Sequence, residues 1–458
     1  MVPTQAASPT PKIAPCPRGH FLWGIAPEFV RDPLGMLTQL GQLGDVVKLR
    51  FGVGSAYLLS NPDHIRHVLQ NPKQFNKQIP SYRRLRELVG TGLIVSEGDF
   101  WLRQRRIEQP AFHKQRIAGF ADAMVQAAQG CVDRLAAAAT RGETVDVPAE
   151  MTRLTMQVVC DTLLGPDARA EAERATHAFA ELNELITQRI LALMPPPLWI
   201  PTAENRRIRA CIAQLDDVIY KMIARRRAAQ VESNDLLSML LHARDSETGA
   251  GMTDLQLRDE LATLLLAGSE TTAMALTWTL YLLSQNPTAT TRLQDELRTA
   301  LAGRVPTLAD LDKLPYTRMV IEESMRLYPP VYCTTRGIHS DEDLDGYHLP
   351  KGAMVFVSAW VVHRLPQLWP DPLVFRPERF TPGAREALPK GAYFPFIAGP
   401  RQCIGNTFAM MEAQLVLSTL ASRIQLTLPA DHPPVQPAPL VTLRPKNGLR
   451  MRPAPIAS

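Results

Sequence analysis

The sequence predicts a mainly α-helical fold with a smaller β part, in a single large domain. Three observations predict it. Helix-period apolar spacing recurs from Pro62 to about Leu301. Strand-like runs are short and lie mostly towards the two ends. Neither an internal repeat nor a compositional break marks a linker along the 458 residues. Hydrophobic residues make up 45% of the chain and charged residues 21%, so a sizeable core can form and no charge excess keeps the chain unfolded.

In chain order, the first twenty residues are rich in Pro, Ser and Thr and lack the apolar run of a signal peptide or a membrane anchor. They read as a disordered lead-in over 1–20, ahead of a folded domain over 21–458. Val46 to Ser60 places two β-rich runs around Gly52 and Gly54, the pattern of a hairpin. Helical blocks follow at Asp99 to Gln109, Ala121 to Ala139, Val147 to Leu164, Ala170 to Met194 and Ile208 to Ala228. Proline runs such as Pro195 to Pro197 separate some of them. Leu255 to Leu283 is the most apolar window, but Glu260, Glu270, Trp278 and five threonines interrupt it, which points to a helix buried in a protein core and not to a membrane span. A helix over Pro315 to Leu327 is stopped by Pro329 and Pro330, which cannot continue it. Strand-like pieces return at Ala353 to Ser358 and near Val441 to Leu443.

The net charge of +5 is a mild tilt that suits an acidic partner, and no basic-aromatic module accompanies it, so nucleic acid is not expected as a ligand. Six cysteines, Cys16, Cys131, Cys160, Cys211, Cys333 and Cys403, form no CxxC pair and no dense framework, as expected of a protein in a reducing cytoplasm.

Chemistry concentrates in two places. Phe394 to Gly405 reads FPFIAGPRQCIG and runs into a helical pattern. Gly399 and Gly405 permit positive φ there, and the amides of the helix start together with Arg401 make a positive surrounding that lowers a thiol pKa. Taken alone, Cys403 reads as a structural cysteine before a helix. In the long helix, Ala267 to Thr272 reads AGSETT; a glycine inside a helix costs about 1 kcal/mol, so something should offset it. Taken alone, the glycine serves helix packing and the threonines bond back to their own carbonyls. Elsewhere Glu323 and Arg326 lie three apart on one helix face, and Trp101 and Arg105 four apart on another.

Phe396, Gly399, Arg401, Cys403 and Gly405 together match FxxGxRxCxG, and at this point the chain resembles the cytochrome P-450 family. AGxET at Ala267 to Thr271, ExxR at Glu323 to Arg326 and WxxxR at Trp101 and Arg105 follow the family's order, and the likeness covers nearly everything after about Ala26. It is similar to the longer bacterial, fatty-acid-hydroxylase-like members. The resemblance implies a cytochrome P-450 fold holding haem b, iron protoporphyrin IX, with the Cys403 thiolate as axial ligand. It implies that Phe396 shields the sulfur and that Arg401, Trp101, Arg105 and Arg336 serve the haem propionates. Gly268 would open an oxygen groove, Ala267 would face haem and substrate, Thr271 would hydrogen-bond to the oxygen held there, and Glu270 would relay protons into a dry site. Glu323 and Arg326 would join Arg379 in a buried network behind the cysteine loop. His113 and His363 are rival iron ligands that the thiolate makes unnecessary.

Substrate contacts would come from Ile79, Leu85, Leu88, Leu93, Ala267, Val331, Tyr332, Val441 and Thr442, with Ile190 to Ile200 as a lid. That mainly apolar set implies a hydrophobic substrate such as a fatty acid, terpenoid, steroid or polyketide. The implied reaction inserts one oxygen atom from O2 by hydroxylation or epoxidation. Electrons would come from NAD(P)H through a separate ferredoxin or flavodoxin with its reductase, because no GxGxxG opens a βαβ unit and the chain ends shortly after the cysteine-loop helix. The protein is expected to be a soluble cytoplasmic monomer without a transmembrane anchor. Two alternatives are a haem-thiolate peroxygenase using hydrogen peroxide, which usually replaces the Glu-Thr pair, and a non-enzymatic haem sensor, which would normally bring an output domain. Thr271→Ala is expected to raise hydrogen peroxide release per electron consumed; unchanged coupling would remove the role given to that hydroxyl.

Overall fold

Gly52, at φ +59°, takes the left-handed position that reverses β1 (Val46–Phe51) onto β2 (Gly54–Leu59), pairing Val46 with Leu59 and Phe51 with Gly54. The predicted hairpin is therefore present. With β3 (Phe75–Asn76), β4 (Thr334–Ile338) and β5 (Met354–Val357) it builds a five-stranded sheet in the order β1-β2-β5-β4-β3. β2 and β5 run parallel and the other neighbours antiparallel. Two of the five strands thus come from the 334–357 stretch, so the β part is less confined to the chain ends than the sequence pattern indicates. The reason is local: Arg336 and Gly337 interrupt the alternation of β4, and pairing with β5 holds the strand all the same.

This computed structural model describes residues 11–52, 54–163, 165, 181–182, 184–186, 188–189, 192, 195–229 and 235–456. They fall into two compact units. The sheet unit comprises residues 1–79, 332–373 and 388–402. Its core includes Leu37, Leu49, Leu58, Leu59, Ile65, Val355, Val357 and Val362. Residues 11–20, expected to belong to a disordered lead-in, are tied to this unit. The Lys12 amide donates to the Gly346 carbonyl at 2.8 Å, its ammonium pairs with Asp345 at 2.6 Å, and the Lys48 amide donates to Pro15 O at 2.9 Å. Composition could not anticipate partners more than three hundred residues away. Residues 1–10 lie outside the described residues.

The helical unit comprises residues 80–331, 374–387 and 403–458. Its helices Gly98–Glu108, Ala121–Thr140, Val147–Leu163, Ala203–Ala229, Asp254–Gln285, Pro315–Leu327 and Asn406–Ala421 match the predicted blocks to within a few residues. The block expected at 170–194 lies mostly outside the described residues, as do 190, 191, 193 and 194 of the expected lid. The 32-residue helix Asp254–Gln285 begins at a capping box, in which Thr253 and Gln256 satisfy each other's amides, and ends at Asn286 before Pro287. It packs against Val147–Leu163, where the Thr155 hydroxyl donates to Ser269 O at 2.9 Å. Among the described residues no helix is long and apolar enough to cross a membrane.

The charge cluster expected from Glu323 and Arg326 is buried in this unit. Arg326 Nε and Nη2 donate to the two oxygens of Glu323 at 2.7 and 2.8 Å, and Arg379 Nε stands 3.3 Å from Glu323 Oε1. The Arg376 amide adds a donor at 2.8 Å that the motif does not foresee. One carboxylate thus holds the 374–387 segment to its helix. Glu323→Gln leaves two buried guanidinium groups uncompensated and is expected to lose about 3–5 kcal/mol of stability, read from urea unfolding.

Candidate active site

The cysteine loop is shaped from its first residue. Phe394 donates its amide to Nε2 of the fully buried His363 at 3.1 Å, so that histidine orients the loop. The left-handed turn falls on Ile397, φ +59°, and Gly399, φ +71°. A Cβ on Gly399 would stand 2.3 Å from Leu69 O, so only glycine fits there. Gly405 departs from expectation: its φ is −88°, and an added Cβ would meet Phe112 only at 3.9 Å. Phe396 and Arg401 are half-buried at the end of the sheet unit, and Cys403 and Gly405 belong to the helical unit.

Cys403 stands three residues before the Asn406–Ala421 helix. The Gly405 amide donates to its sulfur and the Arg105 guanidinium lies close enough to favour the thiolate, yet burial outweighs both and pushes the thiol up. The pull of the helix start is therefore weaker than the sequence predicts, and among the described residues of this unit Arg105 is the cation that favours the thiolate. The residue's own surface is open although the protein around it is dense. That is the arrangement of a side chain on a cavity wall.

A second open patch lies on the long helix. Within the otherwise buried stretch from Leu261 to Leu280, Leu264, Ala267, Gly268 and Thr271 remain partly accessible. Their spacing of three, one and three puts them on one face over two turns. The Thr271 hydroxyl donates to Ala267 O at 2.7 Å, and an added Cβ on Gly268 would stand 3.1 Å from Val159. The modest readings of these residues, back-bonding and close packing, are both realised. The next residue, Thr272, faces Glu412 on the helix that follows Cys403, and burial holds the Glu412 carboxyl well above the usual carboxylate range. This contact sets the open patch and the cysteine-bearing segment against each other.

Glu270 is buried, and its Oε1 accepts from Thr442 Oγ1 at 2.8 Å and from Arg444 Nε at 2.5 Å. Thr442 stands just before the short strand Leu443–Pro445 that carries Arg444, and both side chains reach the same carboxylate oxygen. Between them the Leu443 carbonyl takes the Trp278 indole N–H at 2.7 Å, and Trp278 stacks on Tyr328 with ring centres 4.0 Å apart. Thr442, expected along the substrate, is thus a hydrogen-bond donor to Glu270. Arg444 was not anticipated, because one arginine in a three-residue strand has no sequence signature.

Trp101 is buried and Arg105 half-buried on one face of Gly98–Glu108, and burial lowers the Arg105 guanidinium pKa. In the sheet unit Arg336 is buried and donates to Thr334 Oγ1 and Thr335 O, each at 2.8 Å. Of the expected substrate contacts, Leu85, Leu88 and Leu93 are buried in the helical unit, where Val331 and Val441 are half-buried. Ile79 and Tyr332 belong to the sheet unit, Ile79 against Gly337 and Tyr332 against the sheet core.

The family model described as Cytochrome P450 matches residues 14–451 and so runs through both units as one domain. Cyclooctatin synthase of Streptomyces melanosporofaciens is 37% identical over 96% of this chain and 95% of its own length. Cyclooctat-9-en-7-ol 5-monooxygenase of the same organism is 37% identical over 86% and 85%. Pentalenene oxygenase of Streptomyces avermitilis is 35% identical over 94% of each chain. The crystal structure of cytochrome P450DA heme domain superposes with a TM-score of 0.88 at 26% identity, covering 98% of this chain and 99% of that one.

Arg444→Ala takes the cation from the buried Glu270 carboxylate and leaves Thr442 Oγ1 as the donor to its Oε1. The variant is expected to lose about 1–3 kcal/mol of stability, measured by urea unfolding.

Proposed function

Because the chain belongs to the cytochrome P450 family, a family of haem-thiolate monooxygenases, we propose that it binds haem b through Cys403 and inserts one oxygen atom from O2 into a cyclic, terpene-type alkene or alkenol. The observation that carries this is the open stripe of Leu264, Ala267, Gly268 and Thr271 on a buried helix that packs against the helix following Cys403. The stripe is apolar except for one hydroxyl.

The residues present fit the haem. Cys403 offers an accessible sulfur with the Gly405 amide directed at it, and burial keeps that thiol protonated in the protein alone. A metal cation is what would deprotonate it. Arg105, half-buried on the same helix face as Trp101, supplies a cation for a propionate; Arg336 and Arg401 are proposed for the same duty on the family likeness alone. Once bound, the haem supplies oxygen activation. Around it Ala267 and Leu264 exclude water and hold the apolar substrate. Thr271 exchanges its bond to Ala267 O for one to the oxygen side of the site. Glu270 moves protons between that side and the solvent beside Arg444, whose 33% exposed side chain holds the carboxylate in place.

A terpene-type substrate suits this wall better than a fatty acid does. Leu85, Leu88, Leu93, Leu264, Ala267, Val331 and Val441 include no cation to fix a carboxylate. The Streptomyces relatives are named for cyclooctatin, an alkenol and an alkene. Electrons are assigned to NAD(P)H by way of a separate ferredoxin or flavodoxin and its reductase.

The haem-loaded protein is expected to shift its Soret band when titrated with cyclic terpene alkenes, and to yield a product one oxygen atom heavier under O2 with a reconstituted carrier. Tighter binding of dodecanoic acid would overturn the substrate class. Faster product formation from hydrogen peroxide alone would favour a peroxygenase. A reduced, carbon monoxide-treated sample without the red-shifted band of sulfur-ligated haem would overturn the assignment of Cys403.

A further inference from the structure

Ten residues before Glu270, the long helix carries a second buried glutamate that the oxygen chemistry above does not use. Glu260 is fully buried, and both of its oxygens accept hydrogen bonds: Oε2 from the Leu93 amide at 2.8 Å and Oε1 from Gln104 Nε2 at 3.0 Å. The orientation of Gln104 is not arbitrary. Its amide oxygen takes a bond from Arg103 Nη1 at 2.9 Å, so its NH2 is the end left for Glu260.

Beside Glu260 stands Glu108, also fully buried, one turn beyond Gln104 on the same helix face. Among the described residues, neither of its oxygens accepts a hydrogen bond from an N–H or O–H donor. An ionised carboxylate buried in that way would cost several kcal/mol. Two carboxylates in contact cannot both ionise, and one proton shared between them resolves the conflict. The assignment follows from the donors. Glu260, with both oxygens engaged, is the carboxylate, and Glu108, with neither engaged, is the acid that donates to it. Burial raises the pKa of both, and Glu260 raises that of Glu108 further.

The pair holds together three segments of the helical unit. The 90–96 segment lies directly on the long helix: a Cβ on Gly90 would stand 2.1 Å from Asp259 Oδ1 and one on Gly92 2.0 Å from Thr263 Oγ1. Asp259 anchors Thr91 through its amide at 2.7 Å and its hydroxyl at 3.0 Å. Glu260 anchors Leu93, and through Gln104 and Glu108 it also anchors the helix that bears Trp101 and Arg105. We propose that Glu108 and Glu260 are a proton-sharing positioning pair, which latches the 90–96 segment and the Gly98–Glu108 helix onto the long helix. The charged groups facing the pair are Arg105 on its own helix and Asp259 on the long helix, the latter paired with Arg258 at 3.1 Å.

The two glutamates should respond unequally to the same substitution. Glu108→Gln keeps a donor for Glu260, because the amide N–H replaces the acid O–H. Glu260→Gln has one acceptor oxygen for two inward donors, the Leu93 amide and Gln104, and must release one of them. In the haem-loaded protein, hydrogen exchange of a peptide spanning residues 85–97 is expected to speed up at least tenfold in Glu260→Gln and to change less than about twofold in Glu108→Gln. Equal effects, or the reverse order, would overturn the proposal. The readout does not depend on which substrate is oxidised, so it can fail while the proposed function stands.

If Glu260→Gln does not fold, Glu108→Gln decides alone. A raised carboxyl pKa makes stability fall as pH climbs above the unfolded value. From about pH 5 to about pH 8 the melting temperature of Glu108→Gln should therefore fall less than that of the unaltered protein. A melting temperature that falls as much as that of the unaltered protein, or more, would sink the latch.

Discussion

The long helix Asp254–Gln285 is buried along most of its length, and every polar side chain it carries must find a partner there or raise the free energy of the fold. That constraint organises the helical unit. Asp259 holds Thr91, Glu260 holds Leu93 and Gln104, Glu270 holds Thr442 and Arg444, and the Trp278 indole holds the Leu443 carbonyl. Ser269 and Thr279 need no outside partner because they bond back to Leu265 and Ala275. Segments distant in sequence are placed by these bonds. The stretch from Leu264 to Thr271 that they leave partly open is where the chemistry is proposed to occur.

Electrostatics at Cys403 follow from the same low-dielectric interior. The Gly405 amide and the Arg105 guanidinium both favour a thiolate, and burial opposes them more strongly. The protein therefore presents a sulfur poised for a metal cation without ionising it beforehand. Glu412, Glu108 and Glu260 show the corresponding effect for carboxyls, each raised chiefly by burial. Glu323 is equally buried and is met by two guanidinium groups and an amide.

Helix periodicity, proline stops and the hairpin glycine are local signals, and they located the helices and β1–β2 to within a few residues. The cysteine loop was legible because several fixed residue types crowd into ten positions, and the partner of Glu323 because Arg326 lies one helical turn away. The hold on residues 11–20, the placement of β4, the normal φ of Gly405 and the hydroxyl bond of Thr442 to Glu270 were not legible. Each depends on a neighbour remote in sequence.

By itself the sequence determined the family, the helical class, the cysteine before its helix and the residues of the AGSETT turn, since these rest on residue types at short, fixed spacings. Only the tertiary structure decided which carboxylates are paired and by what: Arg444 for Glu270, Gln104 and Leu93 for Glu260, and for Glu108 no N–H or O–H donor among the described residues. The charge and proton content of a buried group depend on the donors and desolvation around it, and folding brings those together from positions that no local pattern connects.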